Sequence, residues 1–143
     1  MIATLMGHHE ALGALLEGKA DGNALCDGGW TPLGWAAGEN DLEAVRLLLA
    51  AKALPDKAAS GGHTALFKAA SGGHDGAVQD LLLAKANPDA ATALTGDTPL
   101  MLAAQKNHPR VIALLAQRAE CDLKARTITC TTRGSTWLKA AGM

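Results

Sequence analysis

Hydrophobic and polar positions recur along this chain with a period close to 33 residues. A segment of the form G-x-T-x-L-x-x-A-A occurs three times, and a later copy is one residue shorter. The copies are GWTPLGWAA at 29–37, GHTALFKAA at 62–70, GDTPLMLAA at 96–104 and GSTWLKAA at 134–141. Self-similarity at this period indicates a repeat architecture, in which each unit buries its apolar face against its neighbours.

Two further series of residues support the period. A basic residue followed by alanine advances by 33 positions each time, and an Asn or Asp follows at the same step. The first series is Lys19-Ala20, Lys52-Ala53, Lys85-Ala86 and Arg118-Ala119. The second is Asn23, Asp56, Asp89 and Asp122.

The residue pattern within each repeat predicts a helix, a turn, a second helix and a loop. Thr31 suits a helix N-cap, and Pro32 suits the first helical position, where no backbone donor is needed. Thr64 and Thr98 occupy the equivalent cap positions. Apolar periodicity predicts second helices over 42–50, 77–84 and 109–117. Since these helices are too short to be stable alone, the units must stack into an all-α solenoid.

The repeated residues resemble the pattern of the ankyrin-repeat family. That pattern, of about 33 residues, has G-x-T-P-L-H-x-A-A, a Gly-His turn and a second helix rich in Val and Leu that ends in Gly-Ala-Asp. The matching residues are Gly29, Thr31, Pro32, Leu33, Ala36, Ala37, Gly73, His74, Val78, Leu81, Leu82, Val111, Ile112, Leu114 and Leu115. The resemblance covers nearly the whole chain. It implies stacked antiparallel helix pairs, joined by hairpin-like loops, that bind other proteins on a concave face.

The repeat boundaries predict one ankyrin-repeat domain over 1–143. Complete repeats are expected at 27–59, 60–93 and 94–126, with a partial repeat at 1–26 and a partial, decayed repeat at 127–143. Residues 1–6 would then be the second half of a first helix. This organisation is expected for a fragment of a longer array or a decayed gene product, and the uncapped ends would allow a monomer to associate end to end.

The chain departs from the family pattern at two recurring positions. The histidine of T-P-L-H is replaced in every copy, by Gly34, Phe67, Met101 and Lys139. The glycine that ends the second helix is replaced by Lys19, Lys52, Lys85 and Arg118, at a position where the family backbone is left-handed. A residue other than glycine costs on the order of 1 kcal/mol there, partly offset by a cation at the helix C-terminus. We therefore expect Lys85→Gly to stabilise the protein.

Composition excludes several classes of protein. A chain of 143 residues with a net charge of −1 lacks the basic excess of nucleic-acid-binding proteins, although its C-terminal third is locally basic. Its apolar runs are too short to cross a membrane, and its N-terminus does not resemble a signal peptide. The odd cysteine count (Cys26, Cys121, Cys130) fits a reducing compartment, so the cytoplasm or nucleus is expected.

Candidate chemistry is weak throughout the sequence. The tetrapeptide SGGH at 60–63 and 71–74 belongs to no phosphate-binding or nucleophile motif, and the repeat explains both copies as turns. Cys121 and Cys130 lack zinc-ligand spacing. No catalytic, cofactor-binding or metal-binding residue is expected, and the chain is predicted not to be an enzyme. The basic cluster of Lys124, Arg126, Arg133 and Lys139 could contact an acidic partner or could be a solvated loop.

Trp30 and Trp35 lie outside the repeated framework, before the cap threonine and before Ala-Ala respectively. Large aromatic side chains are enriched in interfaces, which favours a contact role. The alternative is that one of them folds over a neighbouring repeat and fills the space left by Gly34 or Gly38. The predicted protein-binding residues are Trp30, Trp35, Glu39, His63, Lys68, Asp97, Leu102 and Lys106.

Two functions remain open from the sequence. The first is a protein–protein interaction module that binds an unidentified partner through its concave face and loop tips. The second is a structural or targeting segment of a larger protein whose activity lies elsewhere. The expected partner is an unidentified protein, and neither a membrane nor a nucleic acid is expected as a partner.

Overall fold

The computed structural model describes residues 4, 6–26 and 28–118. Within these ranges the secondary structure consists of seven α-helices and one 3-10 turn at Ser60–Gly62, without strands. The helices are α1 (His9–Glu17), α2 (Pro32–Gly38), α3 (Leu42–Ala50), α4 (Ala65–Gly72), α5 (Asp75–Leu83), α6 (Pro99–Gln105) and α7 (Pro109–Arg118). The expected all-α class is confirmed.

The helices stack in two parallel rows. The inner row, α2, α4 and α6, is formed by the first helix of each repeat, and each of these helices contacts the next one. The outer row, α1, α3, α5 and α7, is formed by the second helices and is continuous in the same way. Each inner helix also packs on the outer helix that follows it in sequence. The result is a solenoid of helix pairs.

The cap threonines begin the inner helices as predicted. The backbone N–H of Gly34 donates to Thr31 Oγ1 at 2.9 Å, and those of Phe67 and Met101 donate to Thr64 and Thr98 at 3.2 Å. Each bond satisfies a donor that the helix itself leaves unpaired.

Leucine, valine and alanine side chains fill the space between the two rows. The largest fully buried aliphatic side chains are Leu33, Leu48, Leu66, Leu81, Leu115, Val45, Val78 and Val111. The alanines of the inner helices are buried with them, Ala37 and Ala70 to 0% exposure. Because alanine has no side chain beyond Cβ, neighbouring helices can approach closely at these positions.

The predicted left-handed lysines are present at the ends of the outer helices. Lys19, Lys52 and Lys85 have φ of 64°, 63° and 63°. The following residue closes each helix end, as where the Ala53 N–H donates to the Leu48 carbonyl at 2.9 Å. Arg118 differs, because it is still helical as the last residue of α7.

The loop between α5 and α6 explains the difference at Arg118. The backbone hydrogen bond that closes this loop joins Thr92 and Asp97, whereas the loop between α3 and α4 is closed by a bond between Ala59 and His63 and is one residue shorter. This extra residue moves the following repeat to a step of 34. The step of 33 between Lys85 and Arg118 is therefore a regularity of sequence without a structural counterpart.

Side chains of one repeat also bind the backbone of the next. Asn23 Oδ1 accepts from the Leu54 N–H at 2.7 Å, and Asp56 Oδ1 accepts from the Asn87 N–H at 2.6 Å. These bonds give the Asn/Asp series a structural role in stacking.

Several sequence predictions lie outside the described residues. They concern most of residues 1–6, the repeat at 127–143, Asp122, Cys121, Cys130, and the basic cluster of Lys124, Arg126, Arg133 and Lys139. Thr4 is described, and it is helical and buried.

Candidate functional site

The eight predicted binding residues lie on the inner row and its loops, and we call this set the inner face. Its members occupy three equivalent sets of positions in successive repeats. They are the residues before the caps (Trp30, His63, Asp97), those before Ala-Ala in the helices (Trp35, Lys68, Leu102), and the C-caps of α2 and α6 (Glu39, Lys106). Stacking of α2, α4 and α6 places these positions in rows.

The loops that carry Trp30, His63 and Asp97 are bonded side by side. The Ser60 N–H donates to the Gly29 carbonyl at 3.0 Å, and the Ala93 N–H donates to the Gly61 carbonyl at 3.1 Å. Gly29 has a φ of 74°, and a Cβ there would overlap the Ser60 side chain. Glycine is therefore required for this close approach, and the loops form a continuous support for the inner face.

Trp30 folds over the next repeat. Its ring lies on Gly34, where an added Cβ would be 3.4 Å from Trp30 Cε3. The ring centroid is 5.8 Å from that of His63, and the Lys68 ammonium lies 4.6 Å from the Trp30 ring centroid. The loss of the family histidine at Gly34 thus makes room for the ring. This is the geometry expected if Trp30 folds over a neighbouring repeat, although its side chain remains half-exposed.

Lys68 is held at both ends of its side chain. The stem crosses Gly38, where an added Cβ would lie 2.7 Å from Lys68 Cγ and 2.8 Å from Cε. The ammonium then sits over the Trp30 ring, an attractive cation–π contact. Among the described residues, no carboxylate oxygen lies within 4.0 Å of this ammonium. Lys68 is therefore a positioned cation without an anionic partner in the described structure.

Phe67 joins this group, although the sequence prediction omitted it. Its ring is 4.9 Å from that of His63, in an edge-on arrangement. We call Trp30, His63, Phe67 and Lys68 the aromatic–lysine cluster. A signal for Phe67 was present, since the only phenylalanine of the chain stands where the family pattern has histidine.

The remaining inner-face residues are more dispersed. Trp35 and Leu102 are half-buried, and Glu39 and Lys106 are exposed. Asp97 is engaged within its own loop, where Thr95 Oγ1 donates to its carboxylate and its N–H donates to Thr92 Oγ1 at 3.1 Å.

Several charged side chains of the outer row form pairs between repeats. Arg46 Nε donates to Asp80 at 2.9 Å, and Arg110 lies 3.6 Å from Asp75. His9 Nε2 lies 2.8 Å from both carboxylate oxygens of Asp41. We call these contacts the outer-row ion pairs.

The environment of His9 favours its protonated form. The hydrogen bond to Asp41 raises the pKa of His9 above its ordinary value of 6.5; burial acts against this, and the negative charges of Asp41 and Glu43 add to it. Glu43 Oε2 lies 3.3 Å from His9 Nδ1. Each ring nitrogen therefore faces a carboxylate when His9 is charged.

Histidines of the turns also join the repeats, and one of them was missed. His74 Nε2 lies 2.9 Å from the Gly38 carbonyl oxygen, and His108 Nε2 lies 3.2 Å from that of Ser71. The residues that match the family pattern in the sequence include His74 at this turn but not His108. His108 could have been found by allowing the step of 34.

Two kinds of feature are absent from the described residues. They contain no group of three or more His, Cys, Asp or Glu side chains arranged to hold a metal ion. None of the helices in the described ranges has the length and apolar character needed to cross a membrane.

Two family models match the chain. Ankyrin repeats (many copies) match residues 1–49, and ankyrin repeats (3 copies) match residues 50–127. The chain belongs to the ankyrin-repeat family. No curated protein matches it. Ankyrin repeats are in general protein–protein interaction modules, and the family is typically non-enzymatic.

Proposed function

We propose that this ankyrin-repeat domain binds a partner protein through its inner face and loop tips. The observation that carries the proposal is the aromatic–lysine cluster, where three half-exposed aromatic rings lie side by side and the Trp30 ring contacts a cation with no anionic partner among the described residues. Aromatic side chains of this kind dominate the energetics of protein interfaces. The stacked loops supply a rigid support, so that little order has to be created on binding.

The other inner-face residues give the surface a mixed character. Trp35 and Leu102 offer half-exposed apolar area, and Glu39 and Lys106 offer exposed charges of opposite sign. In this proposal the apolar side chains supply affinity, and the charges select among partners.

Affinity capture from cell extract with matched variants tests the proposal. We expect the wild type to retain a set of proteins that Trp30→Ala/Trp35→Ala loses. Because Trp30 packs against the next repeat, the single variant Trp35→Ala is included, and folding is compared by circular dichroism and thermal melting. Leu83→Ala is the control, since Leu83 is 63% exposed on the outer row. Equal capture by all variants would contradict the proposal and favour the targeting-segment alternative.

The proposal also places the domain as a monomer in the cytoplasm or nucleus. Support comes from the odd number of cysteines, which suits a reducing compartment. Size-exclusion chromatography with light scattering tests the monomer, and a mass that rises with concentration would indicate end-to-end association instead.

A further inference from the structure

We propose that the partner segment recognised by the inner face carries an Asp or Glu side chain whose carboxylate binds the Lys68 ammonium, next to apolar residues that contact Trp30 and Trp35. This inference rests on the proposed function. It identifies the partner segment as an acidic peptide.

The first argument is the unbalanced charge of Lys68. The side chain is half-buried, with its stem across Gly38 and its ammonium over the Trp30 ring. In the outer row, the described arginines Arg46 and Arg110 each have a carboxylate within 4.0 Å. Lys68 has the Trp30 ring instead, which leaves its charge available for an anion from outside.

The second argument is the fixed position of the ammonium. A free lysine loses much rotamer freedom when it is immobilised. Here the stem already lies across Gly38 and the ammonium over Trp30, so this restriction exists before binding. The residues equivalent to Gly38 in the other repeats are Ser71 and Gln105, which have side chains. Gly38 has none, so a lysine stem can pass directly over the backbone there. A carboxylate therefore meets a preorganised cation.

The third argument favours a single carboxylate over a nucleic acid. Exposed Glu39 is next to Gly38, which the Lys68 stem crosses, and Asp97 lies on the neighbouring loop. A nucleic-acid strand carries a charge on every nucleotide and would bring further phosphates towards these carboxylates. A peptide with one acidic residue between apolar ones avoids that repulsion.

Selection of a phage-displayed random dodecapeptide library on the immobilised full chain tests the inference. The baits are the wild type, Lys68→Met and Lys52→Met. Methionine keeps an unbranched stem over Gly38 but removes the charge, and Lys52 is an exposed lysine at the end of an outer-row helix, away from the inner face. We expect Asp and Glu to be enriched in the wild-type and Lys52→Met pools and to lose that enrichment with Lys68→Met.

Synthetic peptides from the wild-type pool make the test quantitative. Replacing the selected acidic residue by its amide should weaken binding to the wild type about tenfold, as for a charge-assisted hydrogen bond, and should have little effect on Lys68→Met. Fluorescence polarisation measures both affinities. An amide peptide that binds the wild type as tightly as the acidic one overturns the inference.

The remaining outcomes separate the two proposals. A wild-type pool that contains peptides without acidic enrichment overturns this inference and leaves the proposed function standing. A pool no richer than that from blank beads contradicts both. Labelled oligothymidylate is the nucleic-acid probe, and binding that Lys68→Met abolishes would assign the cluster to nucleic acid and overturn the inference.

Discussion

The ion pairs described in this solenoid join helices of the outer row, and none of them involves the inner face. On the outer row, Arg46 is paired with Asp80, Arg110 with Asp75 and His9 with Asp41, each across a repeat boundary. On the inner face, Lys68, Lys106 and Glu39 have no ion pair among the described residues. Ion pairs between repeats therefore help to join the outer helices, whereas the charges of the inner face take no part in such pairs in the described structure.

The rows also end their helices with different residues. The left-handed residue after an inner helix is Asn40, Gly73 or Asn107, types that tolerate this conformation. After an outer helix it is Lys19, Lys52 or Lys85, with φ of 63–64°. The outer row therefore contains removable backbone strain, and the inner row contains little.

The largest effect is expected from the buried side of an outer helix. Leu81 is fully buried in α5, and Leu81→Ala should lower the free energy of unfolding by about 2–5 kcal/mol through lost burial and a cavity. Urea denaturation measures this. Leu83→Ala on the exposed side of the same helix is the control and should change stability by less than about 0.5 kcal/mol. Similar losses for the two variants would contradict the packing described for α5.

The next largest effect is a gain at an outer helix end. Lys85→Gly should raise the free energy of unfolding by about 1 kcal/mol, because glycine adopts a φ of 63° without steric cost. Thermal melting measures the change. In the control Lys57→Gly, at a position outside the left-handed residues, stability should stay level or fall. A melting temperature for Lys85→Gly at or below that of the wild type would show that the lysine causes no strain.

Removing an outer-row ion pair should cost less. Arg46 is 67% exposed, so Arg46→Gln is expected to lower stability by only about 0.2–1 kcal/mol, and less at high salt. A double-mutant cycle with Asp80→Asn isolates the pair. Lys106→Gln, on the inner face, is the matched control and should be neutral. A zero coupling energy would remove the proposed contrast between the rows.

The smallest effect is expected from His9, through pH. Because the folded protein raises the pKa of His9, its contribution to stability is complete below the ordinary value of 6.5 and is lost as pH rises through the raised pKa. Melting temperatures between about pH 5.5 and about pH 8.5 should therefore fall more in the wild type than in Asp41→Asn. Asparagine keeps an oxygen for the Ala44 N–H and so preserves the α3 cap. Parallel pH profiles would exclude this role for His9.

Local rules account for what the sequence predicted well. The caps at Thr31, Thr64 and Thr98 and the left-handed lysines depend on residues within one or two turns of chain, and the structure has them as expected. Helix α3 begins and ends at the predicted residues, Leu42 and Ala50. The error at Arg118 came from one added loop residue, which shifts the structural register while a similar sequence motif persists nearby.

For the candidate site, the sequence predicted which residues share a face but not which of them contact one another. Repeat register placed Trp30, His63 and Lys68 on one face, because equivalent positions stack in rows. Register did not indicate that Trp30 lies on Gly34 and beneath the Lys68 ammonium, or that Phe67 completes the cluster. The contact between Lys68 and Trp30 joins side chains of different repeats, and the contacts within a repeat, Trp30 with Gly34 and His63 with Phe67, depend on how these side chains are oriented.

The amino-acid sequence by itself determined the period, the helix pairs and the family, since caps, turns and apolar spacing act over short distances along the chain. Only the tertiary structure decided which charges are paired and which remain available. The separation between Arg46 and Asp80, or between Lys68 and Trp30, is set by how closely two repeats stack. That distance depends on the alanines and glycines between the helices. Their packing involves two neighbouring repeats at once, so it cannot be derived from the sequence of either repeat alone.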